Sequence, residues 1–274
     1  MKKLYVSDLD GTLLQNDSTL SENTIKKINQ VINGGGYFSF STARSPASIS
    51  YFVKSINFNI PLILMNGAMI YDVDKMKCIN VELMDKESVN KVIDILSKSS
   101  YCCDIFSYEN EEIIVYNNEK ENDEYYKFCE NKVFIKKYRK INNLNSLRNK
   151  NIFYFAFHDK SSIVNPIYST LEKQKNIEFV YYNDTYVDDC WFLEIFSKKA
   201  NKGNGLKFLK KYINADYSIA FGDNNNDIEM IKYADKGVAM KNAVKLLKEN
   251  ADEITGYNYE DAVAEYIFND FYKK

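Results

Sequence analysis

Lys3-Leu4-Tyr5-Val6-Ser7-Asp8-Leu9-Asp10-Gly11-Thr12, near the amino terminus, is an apolar strand that runs into two carboxylates and stops at a glycine. Alternate side chains of an extended strand point the same way, so we expect Asp8 and Asp10 to face one side and Leu9 the other. Two like charges would then share one site. Such a pair is costly unless a cation neutralises it or one carboxyl holds a proton, and either outcome is useful for catalysis.

Two other structures can carry an Asp-x-Asp-Gly sequence. A surface turn is one, because Asp-Gly is a common turn signal. A calcium-binding loop is the other, but it requires a glycine at its sixth position and a glutamate at its twelfth. Here Gly11 directly follows the second aspartate, and the twelfth position counted from Asp8 is Thr19. The calcium loop is therefore excluded.

The composition is that of a globular protein with small partners. The 274 residues are 45% hydrophobic, enough to build the core of one large domain or two modest ones. A net charge of −2 gives no reason to expect nucleic acid or a membrane as a partner. We find no secretion signal or membrane span, and the cysteines are odd in number without Cys-x-x-Cys spacing. We therefore expect a cytoplasmic protein with reduced thiols at Cys78, Cys102, Cys103, Cys129 and Cys190.

The chain has one histidine, His158, at the end of the apolar run 152–157. A Ser-His-Asp hydrolase or a multi-histidine metal site would have to be built around it, and the chain has no Gly-x-Ser-x-Gly segment. We expect His158 to be a structural residue at a strand end. Carboxylates would then have to supply the acid and base groups of any catalysis.

Strands and helices alternate over the first eighty residues and again over the last eighty. Thr19 and Glu22 have the spacing of a capping box at the start of the first helix. The alternation predicts an α/β fold with a doubly wound, Rossmann-like parallel sheet, in which ligands bind beyond the carboxyl ends of the strands. We expect strands at 3–7, 37–41, 61–65 and 217–221, and helices at 21–33, after Lys202-Gly203 and from Ile228.

The middle third of the chain breaks this alternation. It begins with a helix whose apolar face is Val89, Val92, Ile93 and Leu96. Strands are expected near 112–116, 152–157 and 177–182. We therefore predict an inserted α+β domain at 83–190 and a core domain made of 1–82 and 191–274.

Polar motifs follow the strands of the predicted core. The first motif, from Asp8 to Thr12, follows the first strand, and the second motif, Ser41-Thr42-Ala43-Arg44, follows the second strand. The third motif is Lys202-Gly203, and the fourth is the run from Gly222 to Asp227. The last run also fits an Asn-rich turn that caps a helix. It does not fit a calcium loop, because Ile228 and Ala234 stand where the glycine and the glutamate would be.

In their order and strand-end positions these motifs resemble the haloacid dehalogenase-like superfamily, and the run Gly222 to Met230 resembles its Cof-type phosphatases. The resemblance implies an α/β cap inserted between the second and third motifs. It also implies a magnesium-dependent phosphatase that hydrolyses small phosphorylated metabolites, such as sugar phosphates, through an aspartyl-phosphate.

The resemblance implies roles for individual residues. Asp8 would be the nucleophile and Asp10 the general acid and base. Thr42 would donate to a phosphoryl oxygen, and Lys202 would neutralise developing charge. Magnesium would be held by Asp8, the backbone carbonyl of Asp10, Asp223, Asn226 and Asp227. Substrate-binding residues would be Gly11, Thr42, Arg44, Asn66 and Asn226.

Two details of these motifs bear on the site. Ala43 stands where the family usually has glycine, so we expect it to constrain the turn before Arg44. Lys198 and Lys199 closely precede Lys202, and we assign the third motif to Lys202 because Gly203 and a helix follow it.

Three other functions are compatible with parts of this pattern. A phosphotransferase or phosphomutase of the same fold would pass the phosphoryl group to a sugar hydroxyl instead of water. A signalling receiver domain also phosphorylates an aspartate at a strand end, but it needs less than half this length. A non-catalytic sugar-phosphate sensor would not need the intact set of Asp8, Asp10, Lys202 and Asp223.

Overall fold

The computed structural model describes residues 1–46, 48–49, 52–98, 103–118, 138–183 and 189–272. Among the residues in these ranges, Cys78, Cys103 and Cys190 form no disulfide bond. Cys102 and Cys129, also expected to be reduced, lie outside the described residues.

The chain divides into two compact units, a first unit of Met1–Asn80 and Asn201–Lys274 and a second unit of Val81–Ala200. The strands are β1 (Lys3–Ser7), β2 (Tyr37–Phe40), β3 (Leu62–Leu64), β4 (Met69–Asp72), β5 (Lys77–Val81), β6 (Asp104–Glu109), β7 (Glu112–Asn117), β8 (Tyr138–Lys140), β9 (Ile152–Lys160), β10 (Ile177–Asn183), β11 (Cys190–Ser197), β12 (Tyr217–Gly222), β13 (Lys236–Ala239) and β14 (Glu253–Ile254). The helices are α1 (Glu22–Asn33), α2 (Lys86–Ser97), α3 (Ser161–Leu171), α4 (Lys202–Ile213), α5 (Ile228–Tyr233), α6 (Lys245–Asn250) and α7 (Ala262–Tyr272).

The first unit is built on a parallel sheet in the order β14-β13-β12-β1-β2. β1 lies in its interior, and Leu4, Tyr5 and Val6 are completely buried, as expected for a parallel strand covered on both faces. A bridge between Ser41 and Ile63 links this sheet to the small sheet β3-β4-β5. The predicted parallel α/β core is confirmed, and the first motif lies at the carboxyl end of an interior strand.

The start of α1 differs from the prediction. Ser21 is the N-cap, and its Oγ accepts a hydrogen bond of 2.9 Å from the Thr24 N–H. The Thr19 hydroxyl instead donates to Asp17 over 2.6 Å. The predicted capping box of Thr19 and Glu22 is wrong, because Asp17 binds the threonine and Ser21 is one residue from the helix.

The second unit contains a six-stranded sheet in the order β10-β11-β9-β6-β7-β8, antiparallel except where β7 meets β8. Val89, Val92, Ile93 and Leu96 of α2 are buried in its apolar core, which confirms the predicted helix face. The boundary expected between residues 190 and 191 falls between Ala200 and Asn201 instead. The reason is β11, which pairs along its length with β9 and β10.

His158 is an exposed residue near the end of β9, and its ring stacks on Phe192 with 4.1 Å between ring centroids. Across the described ranges, no helix has both the length and the apolar character needed to cross a membrane.

Asp261 connects three segments of the first unit. Its carboxylate accepts hydrogen bonds from Gln15 (2.6 Å), Ser21 (2.7 Å), Asn23 (3.0 Å) and Thr24 (3.1 Å). Because Asp261 directly precedes α7, these bonds fasten that helix to the start of α1 and to the segment after the first motif.

We predict that Asp261→Asn destabilises the protein by about 1–2 kcal/mol, because an amide accepts fewer and weaker bonds than a carboxylate. Asparagine tolerates the left-handed backbone at this position (φ 56°), so backbone strain should not contribute. Thermal unfolding measures the loss, with the exposed Asp74→Asn as the matched control. An unchanged midpoint for Asp261→Asn would show that water replaces these bonds.

Candidate active site

The centre of the site is a buried lysine shared by two carboxylates. Lys202, the first residue of α4, is 1% exposed, and its Nζ lies 2.6 Å from Asp8 Oδ1 and 2.5 Å from Asp227 Oδ1. Asp8 follows β1, and its N–H continues the sheet by donating to the Phe221 carbonyl of β12. The two strand ends and the start of α4 therefore meet at one ammonium group.

Electrostatics explains why these groups are found together. Burial raises the pKa of the Asp8 carboxyl well above its ordinary value, and Asp227 and Asp223 add to this while Lys202 opposes it. Burial alone would lower the pKa of Lys202, but Asp227 and Asp8 outweigh it and raise the pKa above its ordinary value. The lysine is therefore charged, and it compensates carboxylates that could not be buried alone.

Asp227 organises the loop after β12. Its Oδ2 accepts the N–H groups of both Asp223 and Asn224, each at 3.0 Å, while its Oδ1 binds Lys202. Asp223 in turn accepts a 3.0 Å hydrogen bond from the Thr12 hydroxyl. Asp227 thus fixes both the backbone of the fourth motif and the lysine of the third.

Three carboxylates fit a divalent cation. Asp8, Asp223 and Asp227 each offer an oxygen, and these atoms all lie within 4.8 Å of one another. Burial, reinforced by Asp227, raises the pKa of Asp223 from 3.8 to about 6. Crowded carboxylate oxygens are the ligands that hard cations such as Mg²⁺ prefer, so the donor set fits such an ion.

Gly11 is required by the close approach of this cluster. It has a positive φ of 76°, and a Cβ at its position would lie 2.5 Å from Asp223 Oδ2. Any side chain would therefore both strain the backbone and displace Asp223.

The expectation that Asp10 shares one site with Asp8 stays a prediction. The Asp10 carboxylate is not one of the three clustered carboxylates. Arg44 binds it with both branches of its guanidinium, Nε to Oδ2 at 2.8 Å and Nη2 to Oδ1 at 2.5 Å. β1 ends at Ser7, and residues 9–13 form a tight turn in which Asp10 and Gly11 have non-helical backbone angles. The assignment of the Asp10 backbone carbonyl as a metal ligand stays a prediction.

Backbone hydrogen bonds hold the second motif, Ser41-Thr42-Ala43-Arg44, in place. The Thr42 N–H donates to the Ile63 carbonyl at 2.9 Å, and the Thr42 carbonyl accepts from Asn66 at 3.0 Å. Thr42 Oγ1 accepts the N–H of Arg44 at 3.1 Å. Ala43 has no positive φ, so its methyl group does not strain this turn and the expected constraint is not observed.

The remaining predicted site residues lie around this frame. Asn226 donates through Nδ2 to Asn66 Oδ1 at 3.2 Å, which joins the loop after β3 to the fourth motif. Lys198 and Lys199 are exposed residues of the second unit, so the lysine in the cluster is Lys202.

One supporting residue was missed from the sequence. Asn242 donates through Nδ2 to the Gly11 carbonyl at 2.7 Å, and its Oδ1 accepts from the Asn258 N–H at 3.2 Å. It follows β13, so its position beyond another strand end was the signal that could have identified it.

The chain is similar to haloacid dehalogenase-like hydrolases. The sequence profile of that family matches residues 5–267. Two Bacillus subtilis relatives are 5-amino-6-(5-phospho-D-ribitylamino)uracil phosphatases: YitU is 28% identical, over 96% of each chain, and YcsE is 26% identical, over 97% of this chain and 94% of YcsE. The crystal structure of a haloacid dehalogenase-like hydrolase from Bacteroides thetaiotaomicron, 25% identical, superposes with a TM-score of 0.73 over 97% of this chain and 98% of that one.

The matched residues, 5–267, include the whole second unit and most of both segments of the first unit. The resemblance seen in the four motifs is therefore confirmed. The chain belongs to the haloacid dehalogenase-like hydrolase family, as a Cof-type member, and is an enzyme of the phosphatase class.

Proposed function

We propose that the protein is a magnesium-dependent phosphatase that hydrolyses small phosphomonoesters through an aspartyl-phosphate on Asp8. The observation that carries this proposal is the buried Lys202 ammonium bound to Asp8 and Asp227, with oxygens of Asp8, Asp223 and Asp227 all within 4.8 Å of one another. A nucleophile and its charge compensation are thus assembled before any substrate arrives.

The residues divide the reaction into two steps. An Asp8 oxygen bonds to phosphorus as the phosphorus–ester oxygen bond breaks, and Asp10 gives its proton to the departing oxygen. Water then attacks the aspartyl-phosphate and returns a proton to Asp10, which frees phosphate and Asp8. Lys202 and the Thr42 region stabilise the charge on the transferring group.

Asp8, Asp223 and Asp227 supply the carboxylates that would hold Mg²⁺, with Asn226 and the Asp10 carbonyl completing the set. When bound, the ion neutralises the negative charge shared by these carboxylates and the phosphate. The protein's own contribution is a rigid cluster. Asp227 holds the loop, Thr12 orients Asp223, and Gly11 lets the two segments approach.

Asp8→Asn should abolish turnover of p-nitrophenyl phosphate, because an amide is a poor nucleophile at phosphorus. Asp10→Asn should lower kcat by about 10²–10⁴-fold, the usual contribution of a positioned acid or base. Steady-state kinetics measures both. Intact-protein mass spectrometry after rapid acid quench should show a phosphoryl adduct on the wild type that is missing from Asp8→Asn.

Wild-type turnover retained by Asp8→Asn would contradict the covalent mechanism. A wild type that binds phosphate esters but turns over none of them would favour the sensor instead.

Magnesium should stabilise the protein more at neutral than at acidic pH. The pKa of Asp223 is 3.8 as an ordinary carboxyl and about 6 when folded, so between these values the folded state binds more protons than the unfolded chain. The metal-free protein therefore loses stability as pH rises through this window. We expect Mg²⁺ to raise the thermal midpoint by about 5–10 °C near pH 7.5 and by much less near pH 5.

Asp223→Asn is the matched variant for this measurement. It removes one repelling charge, so the metal-free protein should be as stable as the wild type or more so. Its response to Mg²⁺ should be lost. An equal Mg²⁺ response in the variant would place the ion elsewhere.

The second unit is the natural place for substrate selection, because the catalytic groups described above all belong to the first unit. The activity named for YitU and YcsE makes 5-amino-6-(5-phospho-D-ribitylamino)uracil a substrate to test beside sugar phosphates. We expect kcat/KM for the best ester of this panel to exceed that for p-nitrophenyl phosphate by at least about tenfold, since binding of the leaving group contributes to catalysis.

Products distinguish hydrolysis from transfer. Release of inorganic phosphate equal to the alcohol formed, with a sugar acceptor present, supports a phosphatase. A shortfall matched by a new phosphate ester would identify a phosphotransferase.

A further inference from the structure

The ion pair between Arg44 and Asp10 gives the acid and base group a fixed position. Asp10 is 52% exposed at its side chain and lies on a loop, where a lone carboxyl would sample several rotamers. Proton transfer requires a group held within hydrogen-bond reach of its target. The guanidinium contacts both oxygens, so it sets the location of the carboxyl and also its plane.

Arg44 is itself fixed at several points. Its N–H donates to Thr42 Oγ1 at 3.1 Å, and its carbonyl accepts from the Met65 N–H at 3.1 Å. Its guanidinium carbon lies 5.1 Å from the centre of the Phe52 ring, a cation–π distance. The backbone of Arg44 is thus fixed to residues that follow β2 and β3, while its guanidinium holds Asp10.

The ion pair with Arg44 leaves part of the Asp10 carboxyl open. Each carboxylate oxygen has two lone-pair directions, and each accepts one N–H from Arg44. A second direction on each oxygen therefore remains for a leaving group, and the Asp10 side chain is 52% exposed.

We propose that Arg44 is a positioning residue for Asp10, which orients the acid and base carboxyl for proton transfer to the leaving group. The proposal rests on the proposed function of a phosphatase with Asp10 as acid and base. It assigns to Arg44 a role that acts through Asp10 and is separate from substrate binding.

Two substrates of similar shape test this role. Phenyl phosphate needs protonation of its leaving group far more than p-nitrophenyl phosphate does, because phenol is the weaker acid. We expect Arg44→Gln to raise the ratio of kcat/KM for p-nitrophenyl phosphate to that for phenyl phosphate by about tenfold or more. Arg44→Lys should give a similar increase, because lysine keeps the charge but cannot bind both oxygens in a planar fork.

A double-mutant cycle separates positioning from substrate binding. If Arg44 acts through Asp10, Arg44→Gln should cause little further loss of phenyl phosphate turnover once Asp10→Asn is present. Losses that multiply in the double variant would overturn the proposal, as would an Arg44→Gln effect that is equal for the two substrates. Full activity of Arg44→Lys would also overturn it.

Lys27→Gln is the matched control. Lys27 makes a comparable pair with Glu265 at 2.6 Å and lies 5.0 Å from the centre of the Phe268 ring, on another part of the first unit. It should leave the substrate ratio unchanged, and thermal unfolding checks that every variant is folded. A wild type without turnover would overturn the proposed function together with this proposal. An active wild type whose ratio shifts in Asp10→Asn but not in Arg44→Gln overturns only the role of Arg44.

Discussion

The buried ammonium of Lys202 is the interaction on which the site depends. Two carboxylates, Asp8 and Asp227, could not be buried together without a cation, because desolvation and mutual repulsion would both oppose ionisation. The lysine also depends on its partners, because burial alone would lower its pKa and favour the neutral amine. Neither the carboxylates nor the ammonium would be stable here without the other, so the three side chains form one structural unit.

This requirement forces three chain segments into close contact, and glycines make that contact possible. A Cβ at Gly222 would lie 2.5 Å from Asp227 Cβ, and one at Gly203 would lie 2.6 Å from the Glu229 carbonyl. At Gly67, with φ of 90°, a Cβ would lie 2.2 Å from the Asn201 carbonyl, directly before the lysine. Because these glycines have no side chain, the segments that carry Lys202 and Asp227 can pack closely against their neighbours.

The sequence predicted the parts of this architecture that follow from local pattern and from strand-end topology. Parallel strands bring their carboxyl ends to one edge, which is why Asp8, Lys202 and Asp223 could be expected together although they are far apart in the chain. The position of Asp10 could not be predicted in this way. It depends on where β1 stops and on a partner, Arg44, that reaches it from another loop. The end of the inserted unit was misplaced for a related reason, because only the pairing of β11 shows to which sheet it belongs.

The different surroundings of Asp8 and Asp10 have a consequence for the proposed mechanism. A nucleophile benefits from burial, a fixed lysine and nearby cation ligands, because these hold the carboxylate ready for attack and compensate the charge of the phosphoryl group. An acid and base group must gain and lose a proton in every cycle, which needs an oxygen that substrate and water can reach. Asp8 is 5% exposed and lies beside Lys202, whereas the Asp10 side chain is half exposed beside Arg44. Two carboxylates only two residues apart thus have different environments. Under the proposed mechanism, that difference would allow one sequence motif to supply both a nucleophile and a proton carrier.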